Sequence, residues 1–183
     1  EYIAAALATH LPVARELRVL DAGCGTGLCG PVLAPYAAHL TGVDLSANML
    51  ARAQTRGGYD QLVKAELGEY LTKQAQAFEL IVIADVLIYF GALDGVFAAA
   101  ARALKDQGLL VFTVETRATD SQSRPYAIKP SGRYSHAPGY IASALVKHGF
   151  QVLSSTPVVL REEFTLPVAG LVVSAQCIAP AAA

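Results

Sequence analysis

The chain has 183 residues, 54% hydrophobic and 16% charged, with a formal net charge of −1. That supports one well-cored domain and argues against a disordered segment. With no Lys/Arg cluster there is no electrostatic reason to expect a nucleic-acid partner, and no apolar run reaches the 18 residues that would suggest a membrane span. No signal peptide pattern opens the chain at Glu1. The cysteines are Cys24, Cys29 and Cys177, an odd set without a framework, which points to reduced thiols and a cytoplasmic protein. Cys24 and Cys29 lack the C-x-x-C spacing of a zinc site and have no His beside them, so no metal is expected.

Tyr2 to Leu11 is Ala-rich, with Ile3, Leu7 and Leu11 on one helical face and Pro12 as its stop. It reads as a lid over a ligand or the end of a linker. Arg18 to Asp21 reads as the first strand and enters a turn with Gly23, Gly25 and Gly27 at alternate positions. A helix from Leu28 to Ala37 is expected next, with Pro31 tolerated in its first turn. Glycine accepts positive φ and lets a ligand approach the backbone, and the following helix presents free N–H groups. The turn therefore suits a polar or anionic part of a flat, extended ligand at the carboxyl end of a strand. The second strand, His39 to Asp44, ends on an acid about 20 residues after the glycines, where a carboxylate can accept both ribose hydroxyls.

The helix Ala47 to Arg56, with Ser46 as its cap, stops at Gly57-Gly58. Leu62 to Ala65 reads as a short third strand, followed by Glu66 and Leu67. Phe78 to Asp85 is nearly all apolar, the pattern of a central strand buried on both faces. Asp85 then sits at its carboxyl end, where ligands bind in open α/β sheets, with Val86 and Tyr89 continuing over that edge. Leu93 to Leu104 reads as a helix and Leu109 to Glu115 as the fifth strand, so Asp21, Asp44, Asp85 and Glu115 all end strands on one edge. Residues 116–136 form a long polar stretch of the kind that carries function, ending in Arg133, Tyr134 and His136. The helix Pro138 to His148 leads to two β-rich runs, Gln151 to Leu160 and Leu171 to Ile178, too close in sequence for a crossover helix. They must pair antiparallel.

Two ligands fit the turn. Gly25-x-Gly27-x-x-Gly30 is a dinucleotide fingerprint and keeps an NAD-dependent oxidoreductase in view. Asp21-x-Gly23-x-Gly25-x-Gly27 closely resembles the motif of class I S-adenosylmethionine-dependent methyltransferases. A carboxylate ahead of the glycines should repel a pyrophosphate and attract the ammonium of a methionine moiety. The terminal antiparallel pair also favours the methyltransferase sheet over a nicotinamide-binding one. The stretches Leu-Thr-Gly-Val-Asp-Leu-Ser, Ile-Ala-Asp-Val-Leu-Ile-Tyr-Phe and Ser-Gly-Arg-Tyr-Ser-His look more narrowly like bacterial methyltransferase domains that follow tetratricopeptide repeats.

The resemblance implies a Rossmann-like α/β three-layer sandwich, its seven-stranded sheet mostly parallel with an antiparallel terminal strand, over a single domain of residues 1–183. It implies S-adenosyl-L-methionine as cofactor, held by Asp21, Gly23, Cys24, Gly25, Gly27, Asp44, Leu45, Met49, Glu66, Leu67, Asp85 and Val86, with Leu45, Met49 and Glu66 near the adenine. The family usually has Asp where this chain has Glu66. His136 is the expected base, with Tyr134, Tyr89 and Arg133 orienting a small-molecule or protein acceptor. Arg133 reads either as a mark of an acidic acceptor or as half of a salt bridge to a Glu. A non-catalytic module that binds S-adenosylmethionine is the other alternative.

Overall fold

The computed structural model describes residues 1–117, 124–163 and 165–178. Its elements in chain order are α1 (Tyr2–His10), β1 (Leu17–Ala22), α2 (Gly30–Leu33), β2 (Ala37–Asp44), α3 (Ala47–Arg56), β3 (Gln61–Lys64), α4 (Leu67–Thr72), β4 (Phe78–Ile83), α5 (Asp94–Ala103), β5 (Leu104–Glu115), β6 (Tyr126–Ile128), β7 (Tyr134–His136), α6 (Pro138–Lys147), β8 (Phe150–Glu163) and β9 (Leu166–Cys177). Seven strands form one sheet in the order β3-β2-β1-β4-β5-β9-β8. The pairs from β3 to β5 are parallel, and β9 runs antiparallel to both β5 and β8. This is the Rossmann-like sheet expected from the terminal hairpin, with the reversed strand beside the fifth.

Alternation along the central strands sends their side chains to both faces. Leu110, Phe112 and Val114 join Ile81 and Ile83 in a core under α4, α5 and α6, anchored by Leu71, Phe97 and Leu145. Leu109 and Val111 join Leu80 and Val82 in a second core with Ile3 and Leu7 of α1 and Leu33 of α2. Burial on both faces is why β4 carries no polar alternation. The reversal from β1 to β4 at the sheet centre opens a crevice at the carboxyl ends of the strands.

Several local expectations are corrected. The helix expected over Leu28 to Ala37 is only Gly30–Leu33, because Pro35 has no N–H to donate and the chain must enter β2 at Ala37. The N-terminal helix is no lid: Ile3 and Leu7 are buried in the second core, and Tyr2 Oη donates to Val159 O at 3.0 Å. The long polar stretch contains a small hairpin, β6 paired with β7, while its residues 118–123 fall outside the described residues. The terminal hairpin is longer than expected at both strands and extends beyond the end of β5. Among the described residues no helix is long and apolar enough to cross a membrane.

Candidate active site

The glycine turn is stitched to β2. Gly23 N and Cys24 N both donate to Val43 O, at 2.8 and 2.9 Å, and Gly25 N donates to Asp44 Oδ2 at 2.9 Å. Gly23, Gly25 and Gly27 all have positive φ, at 81°, 54° and 81°. Two of them also lack room for a side chain. A Cβ on Gly23 would lie 2.3 Å from Val86 Cγ2, and one on Gly27 would lie 3.1 Å from the Tyr59 ring. A Cβ on Gly25 would meet nothing within 4 Å, so this residue borders open space. The alternating glycines thus separate into packing positions and one exposed position.

Asp44 ends β2 with its carboxylate bridging two main-chain donors, Gly25 N at Oδ2 and Ser46 N at Oδ1, the latter at 2.8 Å. Ser46 caps α3 through Met49 N, at 3.3 Å. Each Asp44 oxygen thereby uses one lone pair and keeps another. Beside it lies a cavity of about 280 Å³ walled by Gly23, Val43, Asp44, Leu45, Ala65, Glu66, Leu67, Val86, Tyr89 and Phe90. The walls are mostly apolar, with the Asp44 carboxylate at one side: a slot for a flat ring attached to a polar group. Glu66 Oε2 accepts from Glu69 N at 2.7 Å, so its carboxylate caps α4 while its residue still borders the slot.

Other expected site residues lie elsewhere. Asp21 is 1% exposed, is not on the cavity wall, and accepts from Tyr59 Oη at 2.6 Å. Burial pushes its carboxyl up to about 6. Asp21 therefore supports the turn from beneath, and the expected contact with a ligand ammonium has no open path. Cys24 is buried and its thiol is pushed up to about 12, chiefly by burial, which suits packing and not attack. Met49 is exposed on α3, off the cavity wall.

The expected catalytic trio divides. Tyr89, in the single turn Leu87–Tyr89, is 67% exposed and on the cavity wall. Tyr134 packs edge-on against Tyr126, with ring centroids 6.1 Å apart. His136 is fully buried, stacks on Tyr140, and its Nε2–H donates to Phe90 O at 3.0 Å and Gly91 O at 2.9 Å. Burial lowers its pKa and keeps the ring neutral. A base must reach the acceptor. This imidazole instead ties β7 to the loop after β4, so the expected base is a structural post. Arg133 forms the salt bridge alternative, to Glu163.

Sequence reasoning missed Tyr59 and Arg161. Tyr59 fills the space left by Gly27, Gly30 and Gly42 and holds Asp21. Arg161, on the hairpin, meets Asp85 Oδ1 at 3.2 Å, Glu163 Oε1 at 2.8 Å and Glu115 Oε1. Neither carries a local signal for these roles, because Tyr59 acts on Asp21 and Arg161 on Asp85 and Glu115, all far along the chain.

The family model described as "Methyltransferase domain" matches residues 20–112, the span from β1 through most of β5. The malonyl-[acyl-carrier protein] O-methyltransferase of Enterobacter lignolyticus is 36% identical over 116 residues, covering 63% of this chain and 45% of that protein. The ubiquinone biosynthesis O-methyltransferase of Coxiella burnetii is 33% identical over 102 residues, covering 54% and 44%. The chain thus spans less than half the length of both curated relatives. A solved S-adenosylmethionine-dependent methyltransferase from Mesorhizobium loti superposes with a TM-score of 0.70 at 26% identity, covering 94% of this chain and 96% of that one. With the matched span holding the glycine turn, Asp44 and β4, the chain belongs to the methyltransferase domain family.

Proposed function

We propose that this chain binds S-adenosyl-L-methionine and transfers its methyl group to a small-molecule or protein acceptor. The observation that carries this reading is Asp44: both its oxygens are oriented by main-chain donors and both keep a lone pair, beside an apolar slot of about 280 Å³. That set fits a nucleoside, with the vicinal ribose hydroxyls on the carboxylate and the base between Leu45, Leu67, Val86 and Phe90. The open space at Gly25 admits the remainder of the ligand along the turn.

When bound, this cofactor supplies an electrophilic methyl on a sulfonium whose positive charge is lost on transfer. The residues of the chain then have two tasks, alignment and exclusion of water. Asp44 and the glycine turn orient the donor; Val86 and Phe90 seal the slot; Tyr89 stands at its mouth. Named activities of the curated relatives, both O-methyltransferases, support methyl transfer as the reaction. The antiparallel β9 disfavours the dinucleotide alternative. The same reading takes the protein as cytoplasmic, from its cysteine usage, and puts a tetratricopeptide-repeat region before it, from motif resemblance.

Calorimetry with S-adenosylmethionine, S-adenosylhomocysteine and NAD tests the reading. Micromolar binding of the first two and none of the third is expected; the reverse order overturns it. Tritiated methyl transfer into size-sorted extract fractions then separates a protein acceptor from a small one, and a binder that labels nothing would favour the non-catalytic module.

A further inference from the structure

At the carboxyl edge of the sheet, beside the slot, the described residues form a lattice of opposite charges drawn from separate segments. Glu115, at the end of β5, is completely buried, with Lys129 Nζ at 2.7 Å from Oε2 and Arg161 on Oε1. Glu163 takes Arg161 Nε at 2.8 Å and also Arg133. Each cation is thus already engaged by a carboxylate.

Asp85 is the exception among the acids. Its side chain is 63% exposed, against 23% for Glu163 and 0% for Glu115, and among the described residues its carboxylate pairs with Arg161, at 3.2 Å from Oδ1. The residue has φ +57°, a left-handed conformation held by its N–H, which donates to Thr113 Oγ1 at 2.8 Å. Left-handed non-glycine residues fixed by their surroundings cluster at functional sites. Asp85 is also absent from the cavity wall, although its neighbour Val86 belongs to it. Its carboxylate meets Arg161 of the hairpin, while Tyr89, four residues on, is 67% exposed on the wall of the nucleoside slot.

We propose that Asp85 belongs to the acceptor and not to the cofactor, and that the site accepts an amine or hydroxyl whose hydrogen Asp85 Oδ2 receives. The inference rests on the methyl-transfer reading above. An ionised carboxylate offers acceptors only, so its complement is a donor. Arg161 shields one oxygen and leaves the other to the incoming group. In the step, the acceptor nitrogen or oxygen bonds to the methyl carbon as the methyl–sulfur bond breaks, and that bonding pair stays on sulfur. The acceptor's proton passes to Oδ2 and then to solvent through the exposed side. A carboxylate-bearing acceptor, by contrast, meets a like charge at this point.

The test uses two matched probes, tyramine and 4-hydroxyphenylacetate, titrated by NMR into protein saturated with S-adenosylhomocysteine. Tyramine should bind at least roughly tenfold more tightly, perturbing Tyr89 and Val86. In Asp85→Asn that preference should disappear, while S-adenosylhomocysteine affinity by calorimetry stays within about twofold, since Asn tolerates the left-handed backbone. Equal binding of the probes, preference for the carboxylate, or no binding of either at about 10 mM overturns the inference. So does a tenfold loss of S-adenosylhomocysteine affinity in Asp85→Asn, which would return the residue to the cofactor. A wild-type protein that fails to bind S-adenosylhomocysteine instead refutes the underlying reading.

Discussion

Gly23 and Gly25 stand two residues apart, and alanine at each should fail in a different way. At Gly23 the new Cβ meets Val86 Cγ2 at 2.3 Å and Cγ1 at 3.2 Å on a backbone with φ +81°. The left-handed conformation costs an L-residue about 1–2 kcal/mol and overpacking about 1–3 kcal/mol more, so Gly23→Ala should lose about 2–5 kcal/mol of stability. At Gly25 the φ is +54° and no atom lies within 4 Å, so only the conformational cost of about 1–2 kcal/mol applies. Its methyl would instead project into the space assigned to the donor, and Gly25→Ala should weaken S-adenosylmethionine binding by roughly tenfold or more, about 1.4 kcal/mol. Urea unfolding reads the first effect and calorimetry the second. The clash has its own control. In a Gly23→Ala background, Val86→Ala removes both offending carbons, and a double-mutant cycle should give a favourable coupling of about 1–2 kcal/mol. No coupling, or a Gly25→Ala variant less stable than Gly23→Ala, would refute the assignment of one glycine to packing and the other to the ligand.

Asp21 has a carboxyl raised from the ordinary 3.8 to about 6, so the unfolded chain releases this proton first and stability falls as pH rises from about 4 to 6, by at most about 3 kcal/mol. Asp21→Asn still offers Tyr59 an acceptor and should remove that fall, leaving the variant more stable at pH 7; an unchanged slope in urea unfolding across this range contradicts the buried acid. Asp44→Ala should weaken S-adenosylmethionine binding at least roughly tenfold, through two lost hydroxyl contacts and a loosened turn, and an unchanged affinity by calorimetry counts against the ribose assignment. His136→Ala deprives Phe90 O and Gly91 O of a shared donor and should cost roughly 2–4 kcal/mol of stability with little change in cofactor affinity. If instead stability is kept and turnover alone collapses, the imidazole is a base after all.

The elements that a local pattern can encode were legible. The doubly buried β4 announces itself by an apolar run, the turn by alternating glycines, and the antiparallel β9 by the short interval separating two β-rich runs. Asp44 could be placed because a strand end and a fixed interval after the glycines locate it, and both are properties of the chain. The direction in which a side chain points was not legible. Asp21 and Asp85 both stand at strand ends, yet one turns under the turn to Tyr59 and the other out to Arg161. Arg133, Tyr134 and His136 are the cluster that suggested chemistry, yet the packing of β7 on the loop after β4 removes the imidazole from solvent.

What the sequence by itself determined is the sheet, its one reversed strand and the glycine turn at its centre, since backbone preferences and burial periodicity act over neighbouring residues. Only the tertiary structure decided which acids are buried and which stand open. Burial and ion pairing come from residues such as Tyr59, Glu115 and Arg161, brought together from distant parts of the chain by the sheet order. A carboxylate's state depends on those neighbours: burial raises the Asp21 carboxyl, while Asp85, paired with Arg161, stays 63% exposed.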